Sequence, residues 1–265
     1  MSNETYLQAA SDVARLAGGI AHEYYRQRVS IETKHDGTPV TIADRSAEQA
    51  ARQWIEQRFP DDGIIGEEFP VVRAGAKRTW IIDPIDGTKS FVREAPLWGT
   101  LVAVIEENRV IAGAAFFPAL SEIVTAATGC GCWWNDSRAQ VSTVADLSSA
   151  TILTTNSPFS DDGSLNRRWQ KLEATAQVSR TWGDCFGYLM VATGRAEVMV
   201  DPILSSWDIA AFLPIISEAG GVLTDFAGTE TAFGGNAIAT NSALSTTVRE
   251  VLISSRDPKS DDDET

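Results

Sequence analysis

The segment Trp80-Ile81-Ile82-Asp83-Pro84-Ile85-Asp86-Gly87-Thr88 joins an apolar run to two aspartates spaced i, i+3 across a proline, and then to Gly-Thr. The run has the composition of a buried strand, and the Gly-Thr pair opens a helix. Two carboxylates at a strand's end can hold a hard cation, and backbone N–H groups at a helix start can hold a phosphate. One short segment thus carries both halves of a metal-assisted phosphate site. Asp83 is its strongest member, because an unpaired carboxylate ending so apolar a strand is costly.

N-terminal to this segment, Leu7, Ala10, Val13, Ala14, Ala17, Ala21 and Tyr24 give residues 5–28 helical periodicity. A second helix is predicted over 41–59, with Thr41 as N-cap and Asp44 near N3. Pro60-Asp61-Asp62-Gly63 is a turn, and the short strand Ile64-Ile65 leads into Gly66-Glu67-Glu68. From 97 to 144 strand signals dominate, with a tight turn at Glu107-Asn108, so this half reads as α+β with helices on an antiparallel sheet. The second half alternates strands with helices over 164–176, 184–193, 207–219 and 246–254, a mixed α/β layer. Pro214 lies inside the third of these helices and should kink it or set its packing. The predicted organisation is an α+β lobe over 1–145, an α/β lobe over 146–254 and a disordered acidic tail over 255–265.

A chain of 265 residues that is 43% apolar has ample material for a large core. It has no apolar run of membrane-spanning length, and its first residues are polar and acidic, which predicts a cytoplasmic protein. The net charge of −14 argues against nucleic acid and anionic membrane surfaces and suits cations, either metals or an amine-bearing substrate. Three cysteines, an odd number, fit a reducing compartment. Cys130 and Cys132 flank Gly131 and are expected as small buried side chains on one face of a hairpin strand rather than as zinc ligands. With two histidines in the chain, His22 and His35, zinc-hydrolase and Ser–His–Asp chemistry are disfavoured.

Four acidic elements stand out: Glu67 after a short strand, Asp83 and Asp86 around Pro84-Ile85, and Asp208 at a helix start. Glu67 also reads as a solvated turn residue, and Asp208, three residues after Ser205, as a helix-capping acid; Asp44 too could serve only its helix. Taken together, Gly66-Glu67-Glu68, Asp83-Pro84-Ile85-Asp86-Gly87-Thr88 and Trp207-Asp208 with Glu218-Ala219-Gly220-Gly221 downstream resemble the inositol monophosphatase family, in order and spacing, from about residue 5 to 254. The resemblance implies a layered α-β-α-β-α sandwich and Mg²⁺-dependent phosphomonoester hydrolysis with two or three ions per site. It implies that one ion takes Glu67, Asp83 and the Ile85 carbonyl, that a second takes Asp83, Asp86 and Asp208, and that a looser third touches Glu67. It further implies that Glu67, backed by Thr88 and Asp44, orients and deprotonates the attacking water, and that Asp86, Gly87 and Thr88 present the phosphate to the helix start. Lys34 matches a lysine near the family's water shell, with a plain surface lysine as the alternative.

Arg180-Thr181-Trp182-Gly183-Asp184-Cys185-Phe186-Gly187-Tyr188 and Asp201-Pro202 before Trp207-Asp208 resemble the histidinol-phosphate phosphatase branch of that family. Histidinol phosphate carries an ammonium and a titratable imidazole, which Asp184 and Asp201 could pair with; the alternatives are that Asp184 caps its helix and Asp201 ends a strand at a Pro turn. The resemblance implies substrate contacts at Asp86, Gly87, Thr88, Arg180, Gly183, Asp184, Asp201 and Asp208, with Arg180 either at the site or bridging subunits. An inositol or broad-specificity sugar phosphatase of the same family is the alternative. The resemblance also implies a homodimer, for which Trp133-Trp134 are interface candidates, with core burial as the other reading.

Overall fold

The computed structural model describes residues 2–27, 30–33, 39–159 and 163–253; Lys34, His35 and the tail over 255–265 lie outside them. Helix α1 (Asn3–Tyr24) is followed by the hairpin β1 (Ile31–Thr33) and β2 (Pro39–Thr41), then α2 (Ile42–Arg58), β3 (Gly63–Gly66), β4 (Arg78–Asp86) and the single turn α3 (Thr88–Phe91). Strands β5 (Gly99–Glu106), β6 (Arg109–Phe117), β7 (Glu122–Ala127), β8 (Gly131–Trp134) and β9 (Ser137–Arg138) complete a seven-stranded sheet in sequential order β3 to β9, antiparallel except for β3–β4. The chain then passes to β10 (Thr151–Leu153), α4 (Gly163–Thr175), β11 (Val178–Arg180), α5 (Asp184–Ala192) and β12 (Val198–Asp201). It ends through α6 (Ser206–Ile209), α7 (Phe212–Glu218), β13 (Gly221–Thr224), β14 (Ala237–Asn241) and α8 (Ser245–Ile253). The second sheet runs β11-β10-β12-β14-β13.

Period-two alternation divides the side chains of each sheet between two cores. Trp80 and Ile82 of β4 join the alanine-rich faces of α1 and α2, whereas Ile81 joins a central core shared with Tyr188, Leu189, Phe212 and Ile215 of α5 and α7. Met199 of β12 enters the same central core, while Val198 and Val200 face Trp169, Leu172, Val248 and Leu252 of α4 and α8. The layers are therefore α1/α2, first sheet, α5–α7, second sheet, α4/α8, an α-β-α-β-α sandwich.

Two expectations change. Residues 207–219 form two short helices rather than one kinked helix, with the break at Ala210-Ala211. Pro214 lacks the N–H that would bond the Ala210 carbonyl, and its ring crowds that carbonyl, so the ladder fails one turn upstream. Cys130 and Cys132 do not share a strand face. β8 begins after Cys130, at Gly131, whose positive φ of 75° turns the chain; Cys132 enters the central core while Cys130 packs against the α1/α2 side. All three cysteines are free thiols. Trp133 lies under Arg138 and Trp134 under Arg195 of the same chain, at 4.0 and 4.6 Å from guanidinium carbon to ring centroid.

Candidate active site

In a regular strand, residues 83 and 86 would point to opposite faces. β4 does not stay regular: pairing with β5 shifts between Asp83↔Leu101 and Asp86↔Gly99, one extra residue on the β4 side. Pro84 sits in this bulge, where no ladder donor is needed. Its consequence is visible in the packing. Ile81 and Ile85 share parity, yet Ile81 enters the central core and Ile85 the α1/α2 core. The bulge thus turns Asp86 onto the face that Asp83 occupies. Two internal bonds hold it, from the Ile85 N–H to Asp83 Oδ1 (2.9 Å) and from the Thr100 hydroxyl to the Pro84 carbonyl (2.7 Å). Gly87 then adopts φ 84°, and a Cβ there would lie 2.8 Å from the Leu97 carbonyl oxygen, so the turn into α3 accepts glycine alone.

Asp208 reaches the same place from α6. Its Oδ2 accepts the Ser205 N–H at 2.7 Å, so it caps the helix with one oxygen and keeps the other for the cluster. One carboxylate oxygen each from Asp83, Asp86 and Asp208 lies within 4.8 Å of the others. The pKa shifts report how unfavourable this is without a counter-charge. Asp83 is pushed well up by burial, then by repulsion from Glu67, Asp86 and Asp208 and a hydrogen bond with Glu67. Asp86 is pushed well up by burial, then by Asp184 and Asp208, and is partly relieved by the Cys185 N–H at the start of α5. Asp208 is raised to about 7, chiefly by burial.

The remaining expected residues are held by bonds of their own. Glu67, at the end of β3, borders it beside Asp83. Asp44 is fully buried in a capping box: its Oδ2 accepts both the N–H and the hydroxyl of Thr41 (2.8 and 2.7 Å), and Oδ1 has no partner among the described residues. The Thr88 hydroxyl donates to the Ile85 carbonyl at 3.0 Å. Gly183 packs against Thr155 at the N-terminus of α5, and Asp184 follows in the left-handed region at φ 48° with its N–H on Thr155 Oγ1 (2.8 Å). Asp201 is buried with both oxygens engaged, Oδ1 by the Thr155 N–H and Oδ2 by the Tyr188 hydroxyl, each at 3.0 Å. Arg180 is exposed and donates to the Ser179 carbonyl (2.7 Å), outside the cavity described next.

A cavity of about 420 Å³ joins Asp86 and Asp208 of the cluster to Thr155, Asp184, Tyr188 and Asp201. It is lined by the carboxylates of Asp86, Asp208, Asp184 and Asp201 and by the apolar side chains Pro158, Phe159, Ile203 and Leu204; among the described residues no lysine or arginine lines it. Lys89 stands near enough to Asp184 to oppose the upward shift that burial gives that carboxyl. Thr155 and Tyr188 escape a reading of the sequence, since each matters through a contact with Asp184 or Asp201 that the chain order does not reveal. The position of Thr155 just past the end of β10, where open α/β sheets place their ligands, is the one signal that could have found it.

The donor set fits a hard divalent cation: all oxygen, buried or half-buried, mutually repelling, with the carboxylate of Asp44, its Oδ1 orphaned, near enough to Glu67 to repel it. Asp83, Asp86 and Asp208 could hold it, with Glu67 at the border. The sign of the linkage follows. Between about pH 4 and 7 the native metal-free protein holds more protons on these carboxyls than the unfolded chain does, so its stability falls as pH rises through that window. A divalent cation should offset the repulsion mainly at the upper end. At a concentration ~100 times its dissociation constant at pH 8, a divalent cation such as Mg²⁺ should raise Tm by roughly 5–10 °C at pH 8, and the same concentration by clearly less at pH 5.5, where the site is protonated and binds it more weakly. Thermal melts with and without Mg²⁺ check this, and an equal shift at both pH values contradicts it.

The inositol monophosphatase family model matches residues 2–258. A histidinol-phosphatase of Chlorobaculum parvum is 43% identical over 240 residues, covering 90% of this chain and 93% of its own. A histidinol-phosphatase of Mycobacterium tuberculosis is 40% identical over 220 residues, covering 81% and 84%. Among solved structures, the Thermotoga maritima IMPase superposes with a TM-score of 0.83 at 30% identity, over 95% of this chain and 97% of the other. The family is metal-dependent, in keeping with the acidic cluster. Fold, cluster and relatives agree, and the chain belongs to the inositol monophosphatase family, as a phosphoric monoester hydrolase.

Proposed function

We propose that the enzyme is a Mg²⁺-dependent phosphatase that hydrolyses L-histidinol phosphate to L-histidinol and phosphate, a step of histidine biosynthesis. The observation that carries this reading is the charge of the cavity. Among the described residues, four aspartates line it and no basic side chain does. A phosphate dianion cannot settle there without cations, and the remainder of the ester is best received if it is itself cationic. Histidinol phosphate brings an ammonium and an imidazole to Asp184, with the charge of Asp201 behind it; inositol brings hydroxyl groups alone.

Magnesium, two or three ions held by Glu67, Asp83, the Ile85 carbonyl, Asp86 and Asp208, would supply charge neutralisation and Lewis acidity. The chain's own groups supply the rest. Glu67 accepts the proton of the attacking water, with Asp44 and Thr88 setting the local hydrogen bonding. Gly87 and Thr88 offer backbone N–H groups to the phosphate. Water oxygen bonds to phosphorus, the phosphorus–ester oxygen bond breaks, and a proton returns to the departing alcohol. Asp184 receives the cationic end of the substrate. Asp201, with both oxygens engaged, holds Thr155 and Tyr188 in place behind it.

The working form is proposed to be a cytoplasmic homodimer acting on a small phosphate monoester. No helix among the described residues is long and apolar enough to cross a membrane, and the net charge of −14 disfavours nucleic acid and anionic membranes. Expression in a histidine auxotroph lacking histidinol-phosphate hydrolysis should restore growth without histidine. Growth that still requires histidine, with soluble protein present, would count against the substrate assignment.

A further inference from the structure

Helix α2 buries a polar stripe. Asp44, Glu48 and Arg52, spaced four apart and therefore on one helix face, are 0%, 0% and 8% exposed. Buried charges are rare unless paired, and a buried ion pair is seldom a net source of stability compared with apolar residues of the same shape. The bonds of this pair all lead to one place. Glu48 accepts Arg52 Nε (2.7 Å), the Glu68 N–H (2.7 Å) and the Phe69 N–H (3.3 Å). Arg52 donates to the carbonyls of Phe69 (2.9 Å) and Pro70 (3.0 Å). On the other side of Glu67, Gly66 touches the same carboxylate so closely that a Cβ would lie 2.0 Å from Glu48 Oε1. Both chain neighbours of Glu67 are thus seated on Glu48, and the following two residues on Arg52.

We infer that Glu48 and Arg52 are positioning residues for Glu67. They fix the backbone on either side of it, so that its carboxylate faces Asp83 at the border of the cluster. The inference rests on the reading of Glu67 as a cation-binding and water-directing group. α2 then serves the site twice, through Asp44 at its first turn and through Glu48 and Arg52 in the two turns below. A merely structural staple would lower stability and leave cation affinity unchanged in the folded protein. A positioning pair weakens the cation site and spares the ester-binding wall, which α5 and β12 build.

The test uses the full chain and Mg²⁺ itself. Calorimetric titration of Mg²⁺ without substrate, the Mg²⁺ dependence of kcat, and KM for histidinol phosphate at saturating Mg²⁺ are measured for wild type, Glu48→Gln and Arg52→Lys. Glu48→Gln keeps the shape but loses a charged acceptor for Arg52 and the two N–H groups. Arg52→Lys keeps the charge but cannot span both carbonyls. Expected are Mg²⁺ dissociation constants raised about 10–100-fold in Glu48→Gln and about 10-fold in Arg52→Lys, with KM within about threefold of wild type. Mg²⁺ affinities within twofold of wild type in a folded variant would overturn the inference. If Glu48→Gln does not fold, Arg52→Lys decides alone, because its longer stem keeps the packing. A wild type that binds no Mg²⁺ would instead overturn the reading of Glu67, which is a distinguishable outcome.

Discussion

Asp83→Asn is expected to lower kcat by about a thousandfold while leaving a metal-free protein that is more stable than wild type at pH 8. Asp83 sits at the centre of the repulsive cluster, with Glu67, Asp86 and Asp208 around it, and is almost wholly buried. Its charged form is held against burial and three like charges. Asparagine removes that charge and can still accept the Ile85 N–H through Oδ1, so the bulge survives. The gain in Tm without metal should be a few degrees, roughly 2–4 °C for each kcal/mol in a chain of this size. Loss of activity together with gain of stability is the signature of a residue kept for chemistry at the expense of the fold. Steady-state kinetics and melts in EDTA measure both halves. Full activity in Asp83→Asn would rule out the cation site as described.

Asp184→Asn should separate the substrate from the reaction. Asp184 lines the cavity from the left-handed backbone region, and asparagine is among the few residues that tolerate that conformation. Its N–H to Thr155 belongs to the backbone and persists. Losing the carboxylate from a desolvated charge pair costs about 2–5 kcal/mol, so kcat/KM for histidinol phosphate should fall by about thirtyfold or more. An ester with an uncharged alcohol, such as 2-glycerol phosphate, should change by less than about threefold. A fall of equal size for both esters would place Asp184 in the shared phosphate and cation machinery and remove it from substrate reading.

The site was legible in the sequence to the extent that its parts are local. Asp83, Pro84 and Asp86 lie in one short segment, and the proline that marks the bulge is written beside the carboxylates it aligns. Thr41 and Asp44 could be read as N-cap and N3 acid because capping follows fixed spacing along one helix. The α-β-α-β-α layering was not in the periodicity of either half; it came from the resemblance, and the structure explains it by the way both sheets share α5–α7. Residues that act through distant partners stayed hidden. Nothing in the order of residues tells that Asp201 is occupied by Thr155 and Tyr188, or that Glu48 seats the neighbours of Glu67 twenty residues on. The cysteines misled for the opposite reason: alternation along a strand was applied across a glycine that turns the chain.

The most direct test of the central claim is phosphate release by the purified enzyme from L-histidinol phosphate and from inositol 1-phosphate, each with Mg²⁺ and with EDTA. The account predicts hydrolysis that requires Mg²⁺ and a kcat/KM at least about thirtyfold higher for histidinol phosphate, the worth of one desolvated charge pair. A preference for inositol 1-phosphate would contradict the acidic wall as a reader of cationic substrates, and undiminished hydrolysis in EDTA would contradict the cation site.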